Sequence, residues 1–342
     1  MVAKRPLSLG ALRALHGDTQ GLSPEHLLQR FGSVLVGLHG DNETIRILHL
    51  SFREFITDRA DNSQLTRKFH ISEKAHSERL SKLCLQTIVR EITSAGISGT
   101  GYLLRASNYG PGIPEVTGVS EQLLYSSEYW IDHIYDVEDR NITICEVLRE
   151  FLTNHNTCWT EIVSFRSVFR GSMAVWRWLE VHAPELKALL CNKLHANTLG
   201  SLSNRLSCAS RHKEALTATQ ESVFMLRKLA AERPAAFNAD LAMSLGSLSN
   251  GLSDLGQRAE ALVAIQEAVI FYRALAAERP AAFNADLAGS LNNLSNHLFN
   301  LERPAAFNAD LAMSLNNLSS HLSNLGRQEE ALVAIQEAVI LH

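Results

Sequence analysis

Leucine recurs through the second half of the chain at alternating steps of four and three. Leu241, Leu245, Leu248, Leu252 and Leu255 form one such run, and the spacing predicts a helix with a single apolar stripe. Pro234 opens that helix at a position where a missing N–H costs nothing, and Gly256 stops it. Ala261, Leu262, Ile265, Ala268, Val269 and Tyr272 mark a second helix, whose alanines allow a close approach to the first. Neither helix buries its stripe alone, so the pairs must stack into a solenoid.

The pattern repeats with one irregularity. RPAAFNADLA begins at Arg233, Arg279 and Arg303, with gaps of 46 and then 24 residues. LVAIQEAVI stands at 262–270 and again at 332–340. The difference, 46 − 24 = 22 residues, corresponds to Gly256–Ala277, a whole second helix with its entry turn. With A and B for first and second helices, the order reads A1 B1 A2 B2 A3 A4 B4. Leu301-Glu302-Arg303 is expected to turn, with Pro304 opening A4, because one unbroken helix through Pro304 costs ~3 kcal/mol.

Leu245, Leu248, Ser249, Leu252, Ala261, Ile265 and Ala268, with the LG-[QR]-x-x-E-A-L turns at Leu255–Leu262 and Leu325–Leu332, resemble the tetratricopeptide repeat of kinesin-light-chain-like arrays. The resemblance implies that first helices line a concave groove. Asn204, Asn250 and Asn296 then occupy equivalent first-helix positions, with Ser320 at the fourth, and Asn292 and Asn316 form a partial second row. An asparagine amide offers a donor and an acceptor to a peptide backbone. Asn204, Asn250, Asn296 and Asn292 are therefore the candidate peptide-binding residues.

The first half follows other periods. PEHLLQRF after Ser23 reads as a short helix. VLVGL (34–38) and TIRILH (44–49) read as a hairpin. Ser51-Phe52-Arg53-Glu54 has the form of a capping box opening SFREFITD. A longer helix is expected over 76–92, with Leu80, Cys84, Ile88 and Ile92 on one face. A glycine-rich stretch follows, then a helical block holding Trp130, Trp159, Trp176 and Trp178. LHLSFREFITD, FHISEKAHSERLSKLCLQTI, LLYSSEYWIDHI and VLREFLTNH resemble the region downstream of the nucleotide-binding module in fungal NACHT-type signalling ATPases of the STAND class. In that layout a winged helix, a helical linker and repeats follow the ATPase. The module itself needs G-x-x-x-x-G-K-[ST], and the chain has no Gly-Lys pair. The resemblance thus implies the arm of such a switch, associating with a separate NACHT-type ATPase chain.

The expected fold class is mainly α: a winged-helix-like module with a β-hairpin over 1–70, a helical linker region over 71–186 with a glycine-rich loop at 96–119, and a tetratricopeptide-repeat α-solenoid over 187–342 lacking the second helix of its third unit. A net charge of −4 gives no case for nucleic-acid binding, even at Arg53 and Arg59, where Glu54 and Asp58 intervene. No apolar run has membrane-spanning length, and the first residues show no secretory pattern. Five cysteines without a CxxC pair indicate reduced thiols in a cytosolic or nuclear compartment, and the expected localisation is cytoplasmic.

Candidate chemistry is sparse. Gly96–Gly101 lacks the lysine of a phosphate loop and reads as a mobile linker. His155 and Cys158, at i, i+3, do not complete a metal site. No nucleophile or paired-carboxylate motif appears. The expectation is a non-catalytic interaction scaffold without a cofactor, taking a protein or peptide on its repeat groove and engaging neither membrane nor nucleic acid. A truncated or degenerate paralogue without independent function and a kinesin-light-chain-like cargo adaptor are the two other readings.

Overall fold

The computed structural model describes residues 3–17, 33–37, 40–94, 96–104, 112–137 and 142–300, together with Leu315, Val333 and Ala334. The chain is mainly α-helical, with one two-stranded sheet among the described residues. It divides into two compact units, Met1–Asn108 with Ile113–Leu190, and Tyr109–Gly112 with Cys191–His342.

The first unit begins with α1 (Leu9–His16), capped by Ser8, whose side chain accepts from the Ala11 amide. Strands β1 (Leu35–Val36) and β2 (Arg46–Ile47) pair antiparallel, Leu35 opposite Ile47 and Val36 opposite Arg46. The hairpin is shorter than the two apolar runs suggest. Gly37 adopts φ +84°, and the Ile45 amide donates instead to Leu7 O at 2.9 Å. The amino-terminal segment thus takes the pairing that would extend β2. The helix expected over 24–31 lies outside the described residues.

Helix α2 (Leu50–Glu54) corrects the capping-box reading. Its cap is His49, whose Nδ1 accepts from the Ser51 amide at 3.3 Å and lies 2.6 Å from Ser51 Oγ. Ser51 is already inside the first turn, so its hydroxyl serves His49 and not an amide further along. A π-helical turn, Phe55–Arg59, continues α2. Helix α3 (Glu73–Ser94) covers the expected 76–92 and buries Cys84, Leu85 and Ile88, with Leu80 and Ile92 half-buried.

Helices α4 (Glu121–Tyr135), α5 (Ile142–Glu150), α6 (Asn156–Arg166), α7 (Met173–His182) and α8 (Lys187–Leu190) complete the unit. Trp130, Phe151 and Trp159 meet edge to face, with centroids 5.0, 5.7 and 5.7 Å apart, each pair adding about 0.5–1.5 kcal/mol beyond its burial. Indole N–H groups find backbone partners: Trp159 donates to Ser127 O and Trp178 to Val137 O, both at 3.0 Å.

The glycine-rich stretch is not a free linker where it is described. Ser98 and Thr117 form an antiparallel bridge. Gly101 and Leu103 donate their amides to the carboxylate of Glu161 at 2.6 and 2.7 Å, and Glu161 is fully buried. A Cβ on Gly99 would sit 1.9 Å from Glu115 O, so glycine is required there both for φ +88° and for space.

The second unit is a run of antiparallel helices: α9 (Lys193–Cys208), α10 (His212–Glu232), α11 (Pro234–Asp254), α12 (Arg258–Glu278) and α13 (Pro280–Asn300). Each packs on the next, in the order A1 B1 A2 B2 A3. Pro234 opens α11 as its position suggests, and Gly256 follows with φ +75°. Leu241, Leu245 and Leu252 are buried, as are Ala261, Ile265, Ala268, Val269 and Tyr272. The question of a turn or continuous helix at 300–306 lies outside the described residues.

Candidate functional site

The same polar tie recurs between first and second helices. Ser203 Oγ donates to Ala215 O at 3.0 Å, and 46 residues later Ser249 Oγ donates to Ala261 O at 2.8 Å. The Ser249 hydroxyl has then spent its proton, so it accepts from His297 Nε2 at 2.7 Å. Burial lowers the His297 pKa below its ordinary value, which keeps the ring neutral for this role. The bond joins α11 to α13, so successive first helices are neighbours.

Opposite their buried stripes, these helices carry an exposed polar row. Asn204 on α9, Asn250 on α11 and Asn292 and Asn296 on α13 are all exposed, and none is engaged by another described residue. Gly200, Gly246 and Gly289 lie on the same faces, and a Cβ on any of them would meet nothing within 4 Å. The row is almost uncharged. Asp254, at the end of α11, is its acidic member and lies 3.6 Å from His212 Nδ1. Such a surface supplies paired donors and acceptors on an open floor, which suits a polypeptide backbone more than a charged group. Asn316 and Ser320 lie outside the described residues.

The other sequence candidates occupy separate places. His155 ends a π-helical turn, Phe151–His155, that joins α5 to α6. Burial pushes the Cys158 thiol up to about 11, with Thr100 as its hydrogen-bond partner. Burial likewise pushes Cys84 up to about 12, so neither thiol is a ready nucleophile. Arg53 and Arg59 each face a carboxylate, Glu73 at 3.4 Å and Glu54 at 3.9 Å. No described helix is long and apolar enough to cross a membrane.

Sequence reasoning missed two features. The pinning of the glycine-rich loop had one signal, a lone carboxylate in the apolar run CWTEIVSF. A cavity of about 520 Å³ in the first unit had none, since its walls come from separated segments.

The sequence profile of the tetratricopeptide repeat matches residues 241–278 and 311–342. Both segments hold a first-helix phrase followed directly by LVAIQEAVI, whereas 279–310, between them, holds first-helix phrases alone. The helical array of the second unit therefore contains tetratricopeptide repeats, which generally mediate protein–protein interaction. No curated protein matches the chain.

Proposed function

We propose that this chain is a non-catalytic scaffold that binds a protein or peptide along the exposed asparagine row of its first helices. One observation carries the reading: Asn204, Asn250 and Asn296 occupy equivalent, exposed and unengaged positions on three successive first helices. The first-half resemblance adds the setting, the repeat arm of a NACHT/STAND-type signalling protein in the cytoplasm, with any nucleotide switching supplied by a separate chain. In that reading residues 1–70 form the winged-helix-like module and ligand binding biases a closed-to-open equilibrium.

The row ends early because the third unit lacks its second helix. Leu315, from the fourth first-helix phrase, is buried against Val269, Leu291 and Leu298, with Leu262 and Leu294 alongside. One unit earlier, Leu216, Leu248 and Leu252 surround Ala261 and Ala264 of the second helix. Shifted by 46, the leucines become Leu262, Leu294 and Leu298, and Leu315 stands where the alanines would. This supports an asparagine row that runs from Asn204 to Asn296 and stops.

A peptide array probed with the parent chain and with the Asn250→Ala/Asn296→Ala double variant tests the reading. Retained ligands should lose about 1 kcal/mol of binding per amide removed. Unchanged binding to every ligand removes the site, and tight binding of Mg-ATP by the chain removes the non-catalytic assignment.

A further inference from the structure

The cavity of about 520 Å³ in the first unit has a size typical of ligand sites. Leu7, Leu12, Leu35, Ile45 and Ile47 make its apolar walls. Its polar contribution is entirely cationic: Lys4 and Arg5 from the amino-terminal segment, Arg46 from β2 and Arg53 from α2. No described acidic residue lines it.

The charges are spread around the mouth. Lys4 pairs with Asp136 at 3.4 Å, Arg5 with Glu128 at 3.1 Å and Arg53 with Glu73 at 3.4 Å. Three acceptors from α3, α4 and the end of α4 draw these side chains apart, so they do not converge on one anion. Arg46 is exposed and has no ion pair among the described residues. Apolar surface also continues outside the cavity: Leu50 on its wall is 66% exposed, and the nearby Leu48 is 56% exposed. A compact anionic molecule would satisfy neither the spread charge nor the outer leucines. A chain carrying several carboxylates with apolar side chains between them satisfies both.

We propose that this cavity and its leucine-edged mouth bind a short acidic segment of a partner protein bearing leucine or phenylalanine. The apolar side chains fill the cavity and cover Leu48 and Leu50. The carboxylates meet Arg46 directly and Lys4 and Arg53 by exchange with their exposed partners, Asp136 and Glu73, while Arg5 stays paired with the mostly covered Glu128. The surface is independent of the asparagine row.

Fluorescence anisotropy of the full chain with a labelled peptide alternating Glu with Leu and Phe tests this. Binding should weaken by about tenfold in Arg46→Glu and weaken with added salt. Leu50→Ser should also reduce it, while Asn250→Ala/Asn296→Ala leaves it unchanged. Arg46 and Leu50 are exposed, and an unaltered thermal melt of each variant confirms that the fold persists. Equal binding of a Glu/Ser peptide, an unaffected Arg46→Glu variant, or binding of dodecyl phosphate without binding of the peptide overturns the proposal.

Discussion

The two units solve the same packing problem with different ranges of contact. In the second, a stripe on one helix meets the stripe on the next, and the polar tie from Ser249 to Ala261 spans 12 residues. In the first, the stabilising contacts reach across the sequence. Glu161 holds amides 58 and 60 residues away, and Ser8 hydrogen-bonds the carboxylate of Glu121, 113 residues on. The comparison shows why one unit is built from interchangeable neighbours and the other is pinned at single points. A repeat array is a sum of neighbour interfaces.

Trp159→Ala gives the largest expected effect, about 3–5 kcal/mol, because it empties the centre of the Trp130–Phe151 contact. All four tryptophans lie in the first unit, so tryptophan fluorescence reports that unit alone. The fluorescence transition should move while amide exchange in 193–298 stays as in the parent. Equal loss in both would show that the units do not unfold separately.

Acid acts on both units. Burial, reinforced by Lys4 and opposed by Asp136, lowers His133 to about 4. Its Nε2 lies 2.8 Å from the Tyr125 hydroxyl, which also accepts from the Lys4 amide, so the phenol proton is directed to Nε2 and the ring is neutral. Burial lowers His195, in the second unit, to about 4 as well. The unfolded chain takes up these protons near its ordinary value, ~6.5, and the folded chain does not. Stability is thus intact at neutral pH and is lost as pH falls from ~6.5 toward 4, by about 3 kcal/mol for each histidine at full extent. Chemical denaturation at several pH values checks this, and His133→Gln should reduce the dependence in the fluorescence transition only, His16 and His155 being lowered in the same unit.

Ser249→Ala has the smallest effect, about 1–2 kcal/mol, because His297 loses its buried acceptor. It should appear as faster amide exchange in α11, α12 and α13 with no change in tryptophan fluorescence.

The repeat was legible because its contacts are local. Steps of four and three place leucines on one helix face wherever the chain goes, and Pro234 and Gly256 act through their own dihedral angles. The asparagine row was legible for the same reason: residues 46 apart in a regular array land at equivalent positions. The glycine-rich stretch was misread as free because Gly99 is fixed by Glu115, 16 residues away, and no local pattern announces that approach. The capping box failed at close range, since His49 starts the helix two residues earlier by accepting from the Ser51 amide, and the Ser51 hydroxyl turns back to the same ring.

The sequence by itself determined the helical class and the repeat, and marked the candidate row of amides. Each follows from periodicity, which a chain expresses without regard to distant partners. Only the tertiary structure decided that Glu161 clamps a loop, that the amino-terminal segment shortens a hairpin, and that Lys4, Arg5, Arg46 and Arg53 surround one apolar cavity. These depend on which distant segments meet, and burial makes that choice for the chain as a whole.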